Sequence, residues 1–528
     1  MGTLWTGGKI YTMEGEQDAV EAVFVEDGII VATGSKRDLE KRYKNSITKI
    51  TDIKGNTMLP GFVDSHMHLI GHGEKLMKLD FSEMTSSQEI SDSIQEYVKD
   101  KPEGEWIIGE GWNENQLPDR KIFHRIELDE LSPNNPLLLK RICRHAVVVN
   151  TKALELAGIT DHTPNPEGGI IVRDANGHAT GYLLDQAQEL VKTVIPQVTE
   201  DYIQNALRLS IGDCLSKGLV GGHTEDLNYY GGFERTYRGF QKVIKNGFKF
   251  RTNLLVHHEA VDDMHRLGYS YGDGDEFVEL GAMKIFADGS LGGRTALLSH
   301  PYNDTPETFG VAIHSLDGLK TLVQKARSYK MPIAIHAIGD LAFEYVLNAI
   351  EELPPLPNQR DRLIHAQILR KELINRAKKL PLILDIQPRF VVSDFPWVIE
   401  RIGEMNIEYC YAWKTLLQEG LHCAGGSDAP IEPIDPLLGI HAAVTRRKPG
   451  GEEVYMPEQK LSVYEAVQLF TTGSAYAIGK EEYMGKIAPG FKADFSILDQ
   501  DIFHIKEDEI LDTNVRMTVV DDTIMYEK

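Results

Sequence analysis

Eight short apolar segments punctuate the middle of this chain: Phe62–His66, Leu219–His223, Phe250–Val256, Ala282–Ala287, Ile333–His336, Arg362–His365, Leu382–Ile386 and His422–Gly425. Helix-length amphipathic stretches such as Leu319–Ser328, Ala342–Leu353 and Lys371–Lys379 separate the later ones. Apolar strands alternating with helices are the signature of a parallel α/β architecture. Eight strands with crossovers is the count of a TIM (β/α)8 barrel, whose active sites lie at the carboxyl ends of the strands. The pattern therefore predicts a barrel of this class.

A barrel of ~250 residues or more leaves much of a 528-residue chain over. Residues 1–58 read as short strands separated by glycine-rich or acidic turns, among them Leu4-Trp5-Thr6, Ala22-Val23-Phe24-Val25 and Ile29-Ile30-Val31-Ala32. Residues 480–528 repeat that style, with Phe495-Ser496-Ile497-Leu498 and Val515 to Val520. Neither end closes a core alone. The economical arrangement is one small composite β-sandwich from both termini, around a barrel spanning residues 59–479. Roughly 150 residues separate the first strand from the second, far more than a βα unit needs. An inserted subdomain over about residues 70–205 is expected there. It either shapes substrate access at the barrel mouth or serves as a packing or subunit surface.

The formal charge of −23 leaves no basic surplus to replace counterions, which argues against a nucleic-acid partner. No apolar run approaches the ~20 residues of a membrane span, and Met1 to Tyr11 lacks the pattern of a signal peptide. Cys143, Cys214, Cys410 and Cys423 lie far apart and read as reduced thiols in a cytoplasmic protein. A homodimer is expected only as the commonest assembly.

The strand ends carry the chemistry. His66 and His68 leave the first strand at i and i+2, so both imidazoles point the same way. Strand five ends at His336, strand six at His365, and strand eight leads to Asp428. Lys284 sits inside the apolar fourth strand, where an ammonium ion is costly to bury. It reads either as an outward-facing cation or as a desolvated amine able to capture carbon dioxide as a carbamate. Four imidazoles, a lysine-derived ligand and a carboxylate suit one or two divalent metals, a pair lying about 3.5–4 Å apart.

The motifs Pro60-Gly61-Phe62-Val63-Asp64-Ser65-His66-Met67-His68, Lys284-Ile285-Phe286-Ala287-Asp288-Gly289-Ser290-Leu291-Gly292-Gly293-Arg294-Thr295-Ala296, His336-Ala337-Ile338-Gly339-Asp340 and Gly426-Ser427-Asp428-Ala429-Pro430 resemble the amidohydrolase superfamily of metal-dependent hydrolases. Gly111-Trp112-Asn113-Glu114 and the run Gly485 to Asp494 extend the likeness to the branch holding YtcJ-like proteins and N-substituted formamide deformylase. The resemblance implies a distorted barrel with a composite β-sandwich and a divalent metal centre, usually zinc. It implies ligand roles for His66, His68, Lys284, His336 and His365, with Lys284 as a carboxylated bridge.

The activity expected is hydrolysis of a small-molecule amide or N-formyl compound, with Asp428 as proton shuttle, as further metal ligand, or as both. Asp288, Ser290 and Arg294 follow strand four and could line the mouth, as could Trp112, Arg120 and His145 from the insertion; local packing is the competing role for each. Gln387, Pro388 and Arg389 close strand seven and could also reach the pocket, while His72, His145 and His223 are decoys in a search for metal ligands. One alternative is a cyclic amidine or nucleobase deaminase, which would resemble sites with a glutamate shortly after the strand-five histidine; here Ala337-Ile338-Gly339-Asp340 follows. The other is a non-catalytic metal-bound binding protein.

Overall fold

The computed structural model describes residues 2–81, 84–112, 114, 117–141, 146–166, 168–196 and 198–528. The chain divides into two compact units, one of Met1–His72 with Ile203–Lys528 and one of Gly73–Tyr202.

In the first unit the two chain ends share one eight-stranded sheet. Thr57–Pro60 pairs antiparallel with Phe495–Leu498, bringing Pro60 opposite Phe495. Gly2–Tyr11, Ala19–Glu26 and Ile29–Gly34 extend the sheet on one side, with Ile47–Asp52 paired to Gly2–Tyr11. Val515–Val520 and Thr523–Glu527 extend it on the other. The core mixes both ends: Trp5, Val23 and Met58 pack with Phe495, Ile497 and Val519. The Trp5 indole stands edge-on to Phe495 at 5.6 Å, and its Nε1–H donates to Asp522 at 2.7 Å. Neither end could bury these faces alone.

The same unit holds a nearly closed barrel of eight parallel strands in chain order. They are Phe62–Met67, Leu219–Thr224, Arg251–His257, Val278–Phe286, Ile333–Ala337, Asp361–His365, Leu382–Ile386 and Cys423–Gly425. Each is buried on both faces because helices such as Phe233–Lys245, Leu316–Ser328 and Asp340–Glu352 cover the outside. The eighth strand meets the first through their carboxyl ends. The Asp64 carboxylate accepts from Ser427 N at 3.0 Å and from His66 N at 3.0 Å, while Asp428 N donates to His66 O at 2.8 Å. Gly426 allows this approach, since a Cβ there would lie 2.6 Å from His66 N.

A buried ion pair ties barrel to sheet. Arg251 Nε and Nη2 donate to the two Asp494 oxygens at 2.6 and 3.0 Å. Removing one partner strands the other charge away from water. Asp494→Ala should therefore cost about 3–5 kcal/mol of stability, read as a shift of the chemical-denaturation midpoint; a shift under about 1 kcal/mol would make the pair incidental.

The second unit is built on a six-stranded sheet that includes Ile107–Trp112, Leu137–Arg141, Ala146–Val149 and Ala179–Asp185. Its core gathers Phe81, Ile90, Trp112, Leu128 and Leu139. Ser86 and Glu89 close a reciprocal capping box on the helix Ser87–Val98. Among the described residues no helix is long and apolar enough to cross a membrane.

Candidate metal centre

The six side chains singled out at the strand ends come together at the carboxyl mouth of the barrel. Lys284 Nζ lies 3.1 Å from His66 Nε2. Asp428 Oδ1 lies 3.5 Å from His66 Nε2 and 3.3 Å from His68 Nε2. Donor atoms of His66, His68 and Asp428 all fall within 4.8 Å of one another, a spacing that could hold a metal ion. The His365 ring centroid is 5.7 Å from that of His66 and 4.5 Å from that of His336. Strand alternation explains the His66–His68 pair, and parallel register places His336 beside Phe286 and His365 beside Ala337, at neighbouring levels of the carboxyl end.

Three of the four imidazoles, those of His68, His336 and His365, are oriented by a partner on their other ring nitrogen. A carbonyl or amide oxygen only accepts, so the ring nitrogen facing it carries the proton. His68 Nδ1–H donates to the Glu225 carbonyl at 2.8 Å, and His365 Nδ1–H to Gln387 Oε1 at 2.7 Å. Both rings therefore offer Nε2 as a lone pair. His336 Nε2–H donates to Gly289 O at 3.1 Å, leaving Nδ1 as its lone pair. Such partners fix tautomer and ring angle in metal sites. Phe390 stacks on His365 with ring planes 8° apart.

Backbone strain marks the same positions. His365 and Asp428 have φ of +79° and +58°, a region that disfavours side chains with a Cβ. The surrounding hydrogen bonds hold them there, which is common at functional sites.

The electrostatics fit a cation. Burial drives His66 and His336 well below the ordinary imidazole range and His365 to about 4, so these rings stay neutral. Burial draws Lys284 down to about 8, against the opposing pull of Glu225 and Asp428. Burial also pulls His68 down, but Asp428, Glu225 and Asp226 outweigh it and lift the ring to about 9. Burial pushes Asp428 up, and the hydrogen bond from His68 with the charges of His68 and Lys284 more than offsets that, holding it ionised. The carboxylate thus draws positive charge onto His68 Nε2, and a divalent ion would take that proton's place. Neutral imidazoles around an ionised carboxylate are a donor set that a borderline metal such as zinc accepts.

The remaining sequence candidates take various positions. Asp288 is buried and accepts from Leu297 N, Ile338 N and Gly339 N at 2.8, 3.0 and 2.8 Å, with His336 Nε2 at 3.4 Å. Ser290 organises a turn, its hydroxyl accepting from Gly293 N at 3.2 Å. Arg294 pairs with Asp304 at 2.7 Å. Trp112 is buried in the core of the second unit and Arg120 is exposed there; His145 lies outside the described residues. His72 pairs with Asp213 at 2.8 Å, and His223 is buried within the second strand. Sequence reasoning gave no role to Asp64, which braces the first strand against the eighth, nor to Glu225, which is wholly buried beside His68. The signal existed for Glu225, an acid placed directly after an apolar strand end.

A family model described as the amidohydrolase family, Amidohydro_3, matches residues 49–526. The putative amidohydrolase YtcJ of Bacillus subtilis (strain 168) is 51% identical over 531 residues, covering 100% of both chains. N-substituted formamide deformylase of Arthrobacter pascens is 27% identical over 98% of this chain and 97% of its own length. The crystal structure of an uncharacterized metal-dependent hydrolase from Pyrococcus horikoshii OT3 matches with a TM-score of 0.80 at 30% identity, over 96% of this chain and 99% of that one.

Proposed function

The chain belongs to the amidohydrolase family, and from that premise we propose that it hydrolyses a carbon–nitrogen bond outside peptides, of the amide or N-formyl type, with a divalent metal, zinc by preference. The observation that supports this most is the meeting of His66, His68, Lys284, His336, His365 and Asp428 at one barrel mouth. The likeness to a formamide deformylase along nearly the whole chain supports the choice of bond.

Bound there, the metal supplies an acidified water and a pull on the carbonyl oxygen. The chain's own residues do the rest. His66, His336 and His365 offer neutral nitrogens, and His68 offers Nε2 once that nitrogen gives up its proton. Lys284, drawn toward its amine form by burial, attacks carbon dioxide through its lone pair and loses a proton, giving a carbamate with two oxygens. Asp428, ionised and facing His66 and His68, accepts the proton of the attacking water and returns it to the departing nitrogen. The leaving amine departs neutral, and the acid product retains the new oxygen.

The deaminase reading wants a free acid after strand five. Asp340 is instead buried and engaged, accepting from Ser299 N at 2.8 Å and pairing with Arg370 at 2.8 Å.

Chelation tests the reading as a whole. Dialysis against a strong chelator should abolish turnover of N-formyl and N-acyl amides and lower the Tm, because loss of a ligand bound only by the native state removes its stabilisation. Zinc or manganese should restore both. Full turnover by metal-stripped protein would end the proposal.

A further inference from the structure

The carboxylate of Glu225 has no part in the chemistry above, yet it lies wholly buried beside the centre. It follows the second strand, is 0% exposed, and neither of its oxygens has a hydrogen-bond partner. Such a group is costly to bury unless a cation faces it. Its Oε2 lies 3.6 Å from His68 Nδ1, the nitrogen whose proton is held by the Glu225 carbonyl at 2.8 Å. It also faces Lys284 and the Tyr229 hydroxyl. Its backbone is fixed, with Glu225 N donating to Met67 O at 3.1 Å. The neighbouring Asp226 is differently used: Oδ2 accepts from Leu69 N at 3.0 Å and from the Thr224 hydroxyl at 2.5 Å, at the start of the helix Leu69–Met77. One acid caps a helix, while the other is left bare beside a histidine of the centre.

We infer that Glu225 is a positioning residue of the metal centre: its main-chain carbonyl fixes the His68 ring through Nδ1–H at 2.8 Å, and its buried carboxylate, 3.6 Å from the same nitrogen, supplies negative charge that a bound cation would offset. Carboxylate partners of metal-bound histidines tighten metal binding, and their loss typically weakens it 10- to 100-fold. Without the metal that charge is met by His68 and Lys284. This inference rests on the metal reading above and makes a paired claim that a purely structural residue would not meet.

The test compares full-length wild type with Glu225→Gln after chelation and gel filtration. Zinc affinity is read by competition with a chromophoric chelator, and the Tm is read with and without zinc. The expected result is a zinc Kd about 10- to 100-fold weaker, with a metal-free Tm within a few degrees of wild type. A Kd within twofold of wild type would overturn the inference, as would a metal-free Tm several degrees lower with unchanged zinc binding. If the glutamine variant does not fold, Glu225→Leu, of similar bulk and without charge, is judged by the same two readings. Wild type that binds no zinc, manganese or cobalt would remove the metal reading itself, a failure distinct from equal binding by both proteins.

Discussion

Lys284→Ala protein should purify with background levels of metal and turn over N-formyl amides about 1000-fold more slowly than wild type. The lysine is wholly buried in the fourth strand, with its Nζ 3.1 Å from His66 Nε2 and poised over the Phe286 ring at 4.6 Å. Burial draws the nitrogen to about 8 even with Glu225 and Asp428 facing it, so a neutral amine, the form that takes up carbon dioxide, is within reach near neutral pH. Truncation removes the nitrogen and, with it, the carbamate oxygens that would join the metals. It also opens a pocket of side-chain size against the site. Formate or acetate can enter that space and present two oxygens, so either should restore part of the metal content and part of the rate. Lys284→Met separates the two effects, because it fills the space and offers no oxygens. It should stay metal-poor and resist rescue. Metal analysis beside kinetics decides the matter: a metal-replete alanine variant would take Lys284 out of the centre.

The barrel was legible because its strands are buried on both faces, so several, such as Ile333–Ala337 and Leu382–Ile386, appear as short apolar runs. The fourth strand shows the limit. It begins at Val278 rather than Ala282, because Glu279 and Gly281 interrupt the apolar pattern. Glu279 is tolerated there by an ion pair with Lys480, about 200 positions away, which no local window can reveal. The ligand positions were legible for a related reason. Four apolar strands each end on, or lead directly to, a histidine or an aspartate, and chance rarely repeats that placement four times. Their supports were not legible. Asp64 acts through the backbone of Ser427, a contact made only when the eighth strand returns beside the first. Arg294 looked like a free cation at the mouth until the fold brought Asp304 and Arg401 around it. For Asp64 the missing information is the identity of a distant partner, which the closure of the barrel supplies; for Arg294 it is the course of one loop, since Asp304 lies 10 positions further on.

Asp428→Asn should keep its metal and lose about 10²–10⁴ in kcat. The substitution is suited to the position. Asp428 has φ of +58°, and asparagine tolerates that left-handed backbone better than other uncharged residues of its size. The Asp428 N–H to His66 O bond at 2.8 Å is untouched, so the loop should hold its place. What changes is one atom's chemistry. An amide cannot accept the proton of the attacking water and hand it on to the leaving nitrogen, whereas the four imidazoles and Lys284 that would hold metal are unaltered. KM should therefore move little while kcat falls. His68 gives an independent reading, because Asp428 is a main cause of its elevation to about 9. In metal-free protein the asparagine variant should show the His68 ring titrating at lower pH, by NMR of its ring protons. Near-normal turnover would dismiss Asp428 as the proton carrier. Loss of metal with loss of rate would assign it first to coordination, since His66 and His68, the two rings it faces at 3.5 and 3.3 Å, would then have lost the carboxylate that completes their grip.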